Sequence, residues 1–157
     1  MDQVDRVLYD LKHNPHSRRI MTNIYTFQDL HEMNLYPCAY SMTFNVTGNK
    51  LNGILNQRSN DMVVANNWNV VQYSILLMMF AQVSGLEVGE LVHVISDAHI
   101  YDRHIPALEK MFTHKEYDAP KVIMNKNVKN FYDFTVDDFE LVDYKSTPLD
   151  TKLEVAI

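Results

Sequence analysis

The sequence predicts an α+β fold in which a mostly antiparallel sheet packs on one buried central helix. Two segments carry this prediction. In residues 39–46 apolar and polar side chains alternate, which is typical of a strand with one buried face. Residues 68–83 are apolar on nearly every side, and in a globular protein such a helix lies in the centre of the fold.

The beginning of the chain predicts a surface helix. Val4, Val7 and Leu11 recur at helical spacing with charged residues between them. Pro15 marks the end of this helix, because proline disfavours the helical conformation in the residue before it.

A hairpin follows. Residues 47–50 contain Gly48 and predict a turn, and residues 51–57 predict the returning strand. The first strand of the hairpin is expected to bury Tyr40, Met42, Phe44 and Val46.

The remaining elements extend the sheet and add helices. Gly85 is placed to end the central helix. Residues 91–95 predict a short buried strand, and residues 102–113 predict another helix. Three more segments have the composition of strands: 121–124, 139–144 and 151–155.

Composition limits the classes of function. A chain of 157 residues that is 46% hydrophobic can bury one sizeable core, so we expect a single domain over residues 1–157. The net charge of -6 disfavours nucleic acid or an anionic membrane as partner. A single cysteine and the lack of a leader pattern fit a soluble cytoplasmic protein.

Cys38 is the only cysteine, and it lies between Pro37 and a predicted strand. Composition alone favours a buried core thiol, since free cysteine is among the most buried residue types. A reactive cysteine would need a nearby cation, because a guanidinium favours the thiolate.

Arginines recur at two places, Arg18-Arg19 and Arg58-Ser59. Guanidinium groups with a hydroxyl suit a phosphate, which they can bind bidentately. The alternative is a solvated charged corner.

Asn69 opens a helix that is otherwise apolar. Its amide offers a donor and an acceptor side by side, which matches the edge of a uracil ring. A helix cap, or an amide bonded to the backbone, explains it equally well.

His99 and Tyr101 stand two residues apart, hence on one face if this segment is extended. Both could bond a sugar hydroxyl. A zinc site is disfavoured, because His93, His99 and His104 lack helical ligand spacing and no second cysteine is present.

Taken together and in this order, these residues resemble the thymidylate synthase family over essentially the whole chain. The blocks that carry the resemblance are Ser17-Arg18-Arg19-Ile20, Pro37-Cys38, Gln57-Arg58-Ser59 with Asp61, Asn69, Asp97-Ala98-His99-Ile100-Tyr101 and Val155-Ala156-Ile157. The resemblance implies the family's α+β sandwich, a homodimer formed through the sheet, and reductive methylation of dUMP to dTMP by 5,10-methylenetetrahydrofolate, without a metal.

The resemblance also implies roles for residues. Cys38 is the nucleophile that adds to C6 of dUMP. The residues expected to bind dUMP are Arg18, Arg19, Gln57, Arg58, Ser59, Asn60, Asp61, Asn69, His99 and Tyr101, with Arg18 and Arg19 reaching the partner subunit's site. Asp61 and Ala156 are expected to contact the folate.

Family chains have a long N-terminal portion, with a further phosphate-binding arginine and a catalytic glutamate, and residues 1–5 match the middle of the family sequence. The resemblance therefore implies a fragment, a split product or an engineered piece. Ala39, Ala65 and Asn67 also depart from residues that many members carry, and the last two bear on folate binding.

Two other functions stay open at this stage. The isolated chain could be a catalytically incomplete fragment for nucleotide binding or dimerisation. The protein could instead be a pyrimidine hydroxymethylase, although relatives that act on dCMP carry aspartate where Asn69 stands.

Overall fold

The structure is a computed structural model that describes residues 2–150 and 153. The chain divides into two compact units, Met1–His99 and Ile100–Ile157. The single domain expected from the sequence stays a prediction.

Residues 2–99, the described part of the first unit, contain two α-helices and six strands. In chain order they are α1 (Gln3–His13), β1 (Met21–Asn23), β2 (Ala39–Thr47), β3 (Lys50–Gln57), β4 (Asn60–Asp61), α2 (Asn66–Ser84), β5 (Glu87–Ile95) and β6 (Ala98–His99), with a 3-10 turn at Leu30–Glu32.

The main sheet has the order β1-β2-β3-β5. Its first three strands are antiparallel, and β5 runs parallel to β3, with His93 opposite Leu55. The prediction of a mixed fold with a mostly antiparallel sheet is confirmed. A second pairing, β4 with β6, is short and parallel.

Local chemistry explains where the helices and the hairpin end. The Asp5 backbone NH donates to the Asp2 carboxylate at the start of α1, over 2.9 Å. Gly85 ends α2 with a φ of 73°, and Gly48 takes a φ of 61° in the hairpin turn. Both values lie in the left-handed region that favours glycine.

The predicted burial of β2 is wrong at two of its four positions. The pairing of β2 with β3 shifts register between Ala39 and Ser41. A bulge of this kind changes which side chains face the core. Ser41 is therefore buried and Tyr40 is only half-buried. Val46, near the end of the strand, is also only half-buried, whereas Met42 and Phe44 are buried as expected.

The central helix is confirmed, but its burial on nearly every side is not. α2 buries Tyr73, Leu77 and Phe80, and the Phe80 ring meets Phe44 edge to face at 5.2 Å. Trp68, near the start of α2, is by contrast 79% exposed. Apolar composition predicts that a helix is covered, but within the described residues only part of this one has a covering layer.

The strand predicted at residues 91–95 is longer and less buried than expected. β5 begins at Glu87, and Val88, Val92 and Val94 are each roughly half exposed. Within the first unit α2 packs against one side of β3 and β5, so alternate valines of β5 lie on the other, open side.

The second unit is smaller. The helix expected at residues 102–113 divides into a 3-10 turn at Asp102–His104 and α3 (Ile105–Met111). The strands predicted at residues 121–124 and 139–144 are present as β7 (Lys121–Met124) and β8 (Phe139–Val142), the second ending two residues earlier than predicted, and they pair antiparallel. The strand predicted at residues 151–155 lies outside the described residues, apart from residue 153.

No helix in the described part of the chain is both long and apolar enough to cross a membrane.

Candidate functional site

Strand pairing brings Cys38 and Arg58 together. β2 starts immediately after Cys38, β3 ends immediately before Arg58, and Ala39 pairs with Gln57. The Arg58 backbone NH donates to the Cys38 carbonyl over 2.9 Å. The two residues are thus held side by side at one end of the hairpin.

The Arg58 guanidinium folds over the loop that carries the cysteine. Its Nη2 donates to the Tyr36 carbonyl over 2.7 Å, and its Nε donates to the Pro37 carbonyl over 3.0 Å. Nη2 also lies 3.8 Å from Cys38 Sγ. Two charge-assisted bonds therefore fix a cation next to the sulfur.

Cys38 itself is half-buried, so it is not the buried core thiol that composition favoured. A cleft of about 410 Å³ is lined by Arg58 and by aromatic rings that include Tyr25, Phe27 and Tyr40. A thiol with partial access, adjacent to a fixed cation, has the environment of a reactive cysteine.

Gln57 is the hub of a second group of side chains. It is only 1% exposed. Its Nε2 donates to the Ser59 carbonyl over 2.8 Å and to Asn69 Oδ1 over 2.9 Å. Its Oε1 lies 2.9 Å from His93 Nε2. Asn69 is thus bonded by a side chain and not by backbone, and its amide is oriented by Gln57.

Asn60 and Asp61 make local contacts in the same region. Asn60 is buried, and its Nδ2 donates to Asn66 Oδ1 over 2.9 Å. The Asp61 carboxylate accepts bonds from the Val63 and Val64 backbone NH groups over 2.9 and 3.1 Å. Both side chains therefore shape the turn that leads into α2.

His99 is half-buried at the end of the first unit, and its Nδ1 lies 3.7 Å from the Asp97 carboxylate. Tyr101 belongs to the second unit, where its ring meets His104 edge to face at 5.9 Å. Their predicted joint action on a sugar hydroxyl stays a prediction.

Arg18 and Arg19 are exposed in the segment between α1 and β1. The Arg19 backbone NH donates to Ser17 Oγ over 3.2 Å. Among the described residues no hydrogen bond joins either arginine to Cys38 or Arg58, so their role in a partner's site stays a prediction. Ala156 lies outside the described residues.

Sequence reasoning missed two contributors to the site. The sequence-based predictions include His93 only as a rejected zinc ligand, although a histidine in an apolar strand is itself a signal. Tyr73 is predicted only as part of the apolar helix, yet its hydroxyl donates to the Ala39 carbonyl over 3.4 Å. Burial raises the pKa of the Tyr73 hydroxyl. No cluster of three or more potential metal ligands occurs in the described ranges 2–150 and 153.

A family model described as thymidylate synthase matches residues 1–157, the whole chain. The chain belongs to the thymidylate synthase family. The family resemblance predicted from the sequence is thereby confirmed. Its residue blocks up to Tyr101 have positions in the fold, and the block at residues 155–157 lies outside the described residues.

Individual members of the thymidylate synthase family are close in sequence and structure. The chain is 49% identical to a thymidylate synthase from Bacillus licheniformis over 92% of its length and 52% of that protein. A Bacillus phage phi3T thymidylate synthase is 46% identical over the same shares. The fold matches thermostable thymidylate synthase A from Bacillus subtilis with a TM-score of 0.91 and 43% identity, over 100% of this chain and 55% of that one. The chain thus spans about half the length of the curated relatives it matches.

Proposed function

We propose that this chain carries the nucleophile and the nucleotide site of a thymidylate synthase, which converts dUMP to dTMP with 5,10-methylenetetrahydrofolate. The observation that carries the proposal is the position of Arg58 Nη2, 3.8 Å from Cys38 Sγ. A half-buried thiol beside a fixed cation is the arrangement that covalent addition to a pyrimidine needs.

Cys38 Sγ, as the thiolate, forms a bond to C6 of the pyrimidine, and the electron pair of the C5–C6 double bond moves to C5 and the C4 carbonyl. C5 thereby becomes a carbon nucleophile. When bound, the folate supplies the one-carbon unit and the hydride. Once C5 has bonded to the one-carbon unit, the C5 proton passes to water and tetrahydrofolate leaves, which gives an exocyclic methylene on C5. Hydride transfer to that methylene re-forms the C5–C6 double bond and expels the Cys38 thiolate, so that dTMP and dihydrofolate are formed.

The remaining groups of the first unit suit the other parts of dUMP. Arg58 and Ser59 follow β3 and offer a cation and a hydroxyl to the phosphate. Asn69 accepts a hydrogen bond from Gln57, the residue before Arg58, and its amide is available to the uracil edge. His99 and Tyr101 are proposed to bind the deoxyribose hydroxyl.

The chain also carries a candidate ligand for the folate. Asp61 accepts two backbone bonds, which hold its half-buried carboxylate in one orientation. An oriented carboxylate suits the donor groups of a pterin ring. Asp61 is therefore the described residue proposed to hold the pterin, with Ala156 as the further residue that the family resemblance suggests.

We also propose a homodimer formed through the sheet. The half-exposed valines of β5 support it, since an open apolar sheet face is a typical interface. Exposed Arg18 and Arg19 would then be available to a partner subunit's phosphate site. A cytoplasmic location fits the single free cysteine and the acidic composition.

A titration of the chain with dUMP, followed by NMR, tests the nucleotide site. We expect weak binding that perturbs the backbone signals of Arg58 and Ser59 and the side-chain amide of Asn69. The substitution Asn69→Asp should move the preference from dUMP towards dCMP, because a carboxyl group presents a different donor pattern. If Asn69→Asp leaves the preference unchanged, Asn69 does not read the base.

The isolated chain is expected to bind dUMP without turnover, since it spans about half of its relatives. Dihydrofolate formation from dUMP and 5,10-methylenetetrahydrofolate by the purified chain, followed by absorbance, would contradict that expectation. The variant Cys38→Ser is the control in either case, because it removes the nucleophile and keeps a small polar side chain.

A further inference from the structure

We propose that His93 is a positioning residue for the pyrimidine base, acting through Gln57 on the amide of Asn69. The inference rests on the proposed function, because it takes Asn69 to be the group that reads the base. It adds a residue on β5 to a site otherwise built from the ends of β2 and β3 and the start of α2.

The first step concerns the orientation of the Gln57 amide. The Ser59 carbonyl can only accept a hydrogen bond, and it lies 2.8 Å from Gln57 Nε2. The NH2 group of Gln57 must therefore face Ser59. The same NH2 group lies 2.9 Å from Asn69 Oδ1, so it donates there with its second proton.

The second step concerns His93. With its NH2 group committed, Gln57 presents Oε1 to His93 Nε2 at 2.9 Å. An amide oxygen can only accept, so Nε2 must carry the proton. Burial lowers the pKa of His93 below its ordinary 6.5, so the neutral ring predominates at pH 8 and its tautomer has a single expected form, protonated at Nε2.

The third step reaches the ligand. Because Asn69 Oδ1 accepts from Gln57, its NH2 group is the end directed away from Gln57. Two donors suit the O4 acceptor of uracil and oppose the 4-amino donor of cytosine. By donating to Gln57, His93 thus helps to fix which end of the Asn69 amide, the NH2 group or the oxygen, a pyrimidine meets.

Register makes this relay available. His93 is opposite Leu55, and Gln57 is two residues beyond Leu55 on the same face of β3. α2, which carries Asn69, packs against β3. Gln57 is almost fully buried, so its oxygen has little access to water if the histidine donor is removed.

The closing experiment compares the ratio of dUMP to dCMP affinity in four proteins: wild type, His93→Phe, His93→Gln and His31→Gln. His93→Phe keeps the ring shape and removes the donor, and the ratio should fall about tenfold, the effect of one hydrogen bond in a buried site. His93→Gln restores an NH donor and should bring the ratio back to within about threefold of the wild type. His31→Gln removes an exposed histidine and should leave the ratio unchanged.

A second measurement needs no ligand. Imidazole ¹⁵N NMR of the wild-type chain at pH 8 should show His93 protonated at Nε2. A proton at Nδ1, or an equal dUMP to dCMP ratio in wild type and His93→Phe, would overturn the role of His93. Failure of the wild type to bind dUMP at all would instead overturn the proposed function, so the two failures are distinguishable.

Discussion

Replacing Gln57 with methionine is expected to lower the free energy of unfolding by about 2 kcal/mol. Gln57 makes three hydrogen bonds of 2.8, 2.9 and 2.9 Å. At about 1 kcal/mol net for each bond, their loss costs about 3 kcal/mol. Methionine has a similar length and would recover about 1 kcal/mol, because its apolar end suits a site that is 1% exposed. A net loss of 2 kcal/mol corresponds to a fall in Tm of roughly 4–8 °C for a chain of this size.

Urea denaturation followed by circular dichroism measures this loss, and thermal melting gives the shift in Tm. The matched control is Gln72→Met, the same chemical change at an exposed position of α2. It should alter the free energy of unfolding by no more than about 0.5 kcal/mol. Equal stability of the two variants would show that the Gln57 hydrogen bonds contribute nothing net, and the reasoning about its site would fail.

Three further changes test other parts of the structure. Phe80→Ala should cost about 3–5 kcal/mol in urea denaturation, because it opens a cavity beside Phe44 in the fully buried core. Gly89→Ala should cost about 1–3 kcal/mol, because the new Cβ would stand 2.8 Å from the Leu51 carbonyl oxygen, which backbone pairing holds in place. The pKa of His93 is lowered by burial, so the unfolded chain takes up its proton first. The stability contributed by neutral His93 is therefore present above pH 6.5 and is lost as pH falls through the folded pKa, and the urea midpoint of His93→Gln should fall less between pH 7 and 5 than that of the wild type.

Each of these three predictions has a result that would contradict it. If Phe80→Ala lowers the free energy of unfolding by less than about 1 kcal/mol, the value of a single buried methylene, neighbouring side chains must move in to fill the cavity. A Gly89→Ala variant of unchanged stability would mean that β3 and β5 separate readily at Leu51. Identical pH dependence in His93→Gln and the wild type would mean that other groups account for the whole effect.

The hairpin of β2 and β3 was predictable because its information is local. Alternation, a glycine at the turn and a return of apolar residues are all contained in residues 39–57. The bulge between Ala39 and Ser41 was not predictable in this way, since no residue between them marks it. It depends on how the start of β2 pairs with Gln57 on β3.

The burial predicted for residues 91–95, now part of β5, is wrong for a different reason. A nearly continuous run of apolar residues predicts a strand covered on both faces. Whether a second layer covers the strand depends on what else packs there, and alternation cannot report that. The same holds for Trp68 on α2, where composition gives the preference for burial and not the presence of a partner layer.

The candidate site was partly predictable because its residues carry family-specific blocks. Cys38, Arg58 and Asn69 were identified from the sequence, and the structure brings Cys38 and Arg58 into contact. His93 stands out in the sequence as a polar residue in an apolar strand, but its partner was not predictable. Its bond to Gln57 depends on the parallel register of β3 and β5, two strands separated by the whole of α2.

The buried amide of Gln57 also bears on how the chain selects one strand pairing during folding. A slip of β3 by one residue would turn Gln57 to the other face of the sheet, and a slip of two would keep the face but carry the amide past His93. The second slip would also place Leu51 or Leu55 at the site of Gly53, where even an added Cβ would clash with the Met42 side chain. The Gln57 amide adds a polar requirement, because Asn69 and His93 lie on other elements and both meet the amide in one alignment only. Gln57, which we propose to orient the amide that reads the base, would thus also disfavour misaligned strand pairing.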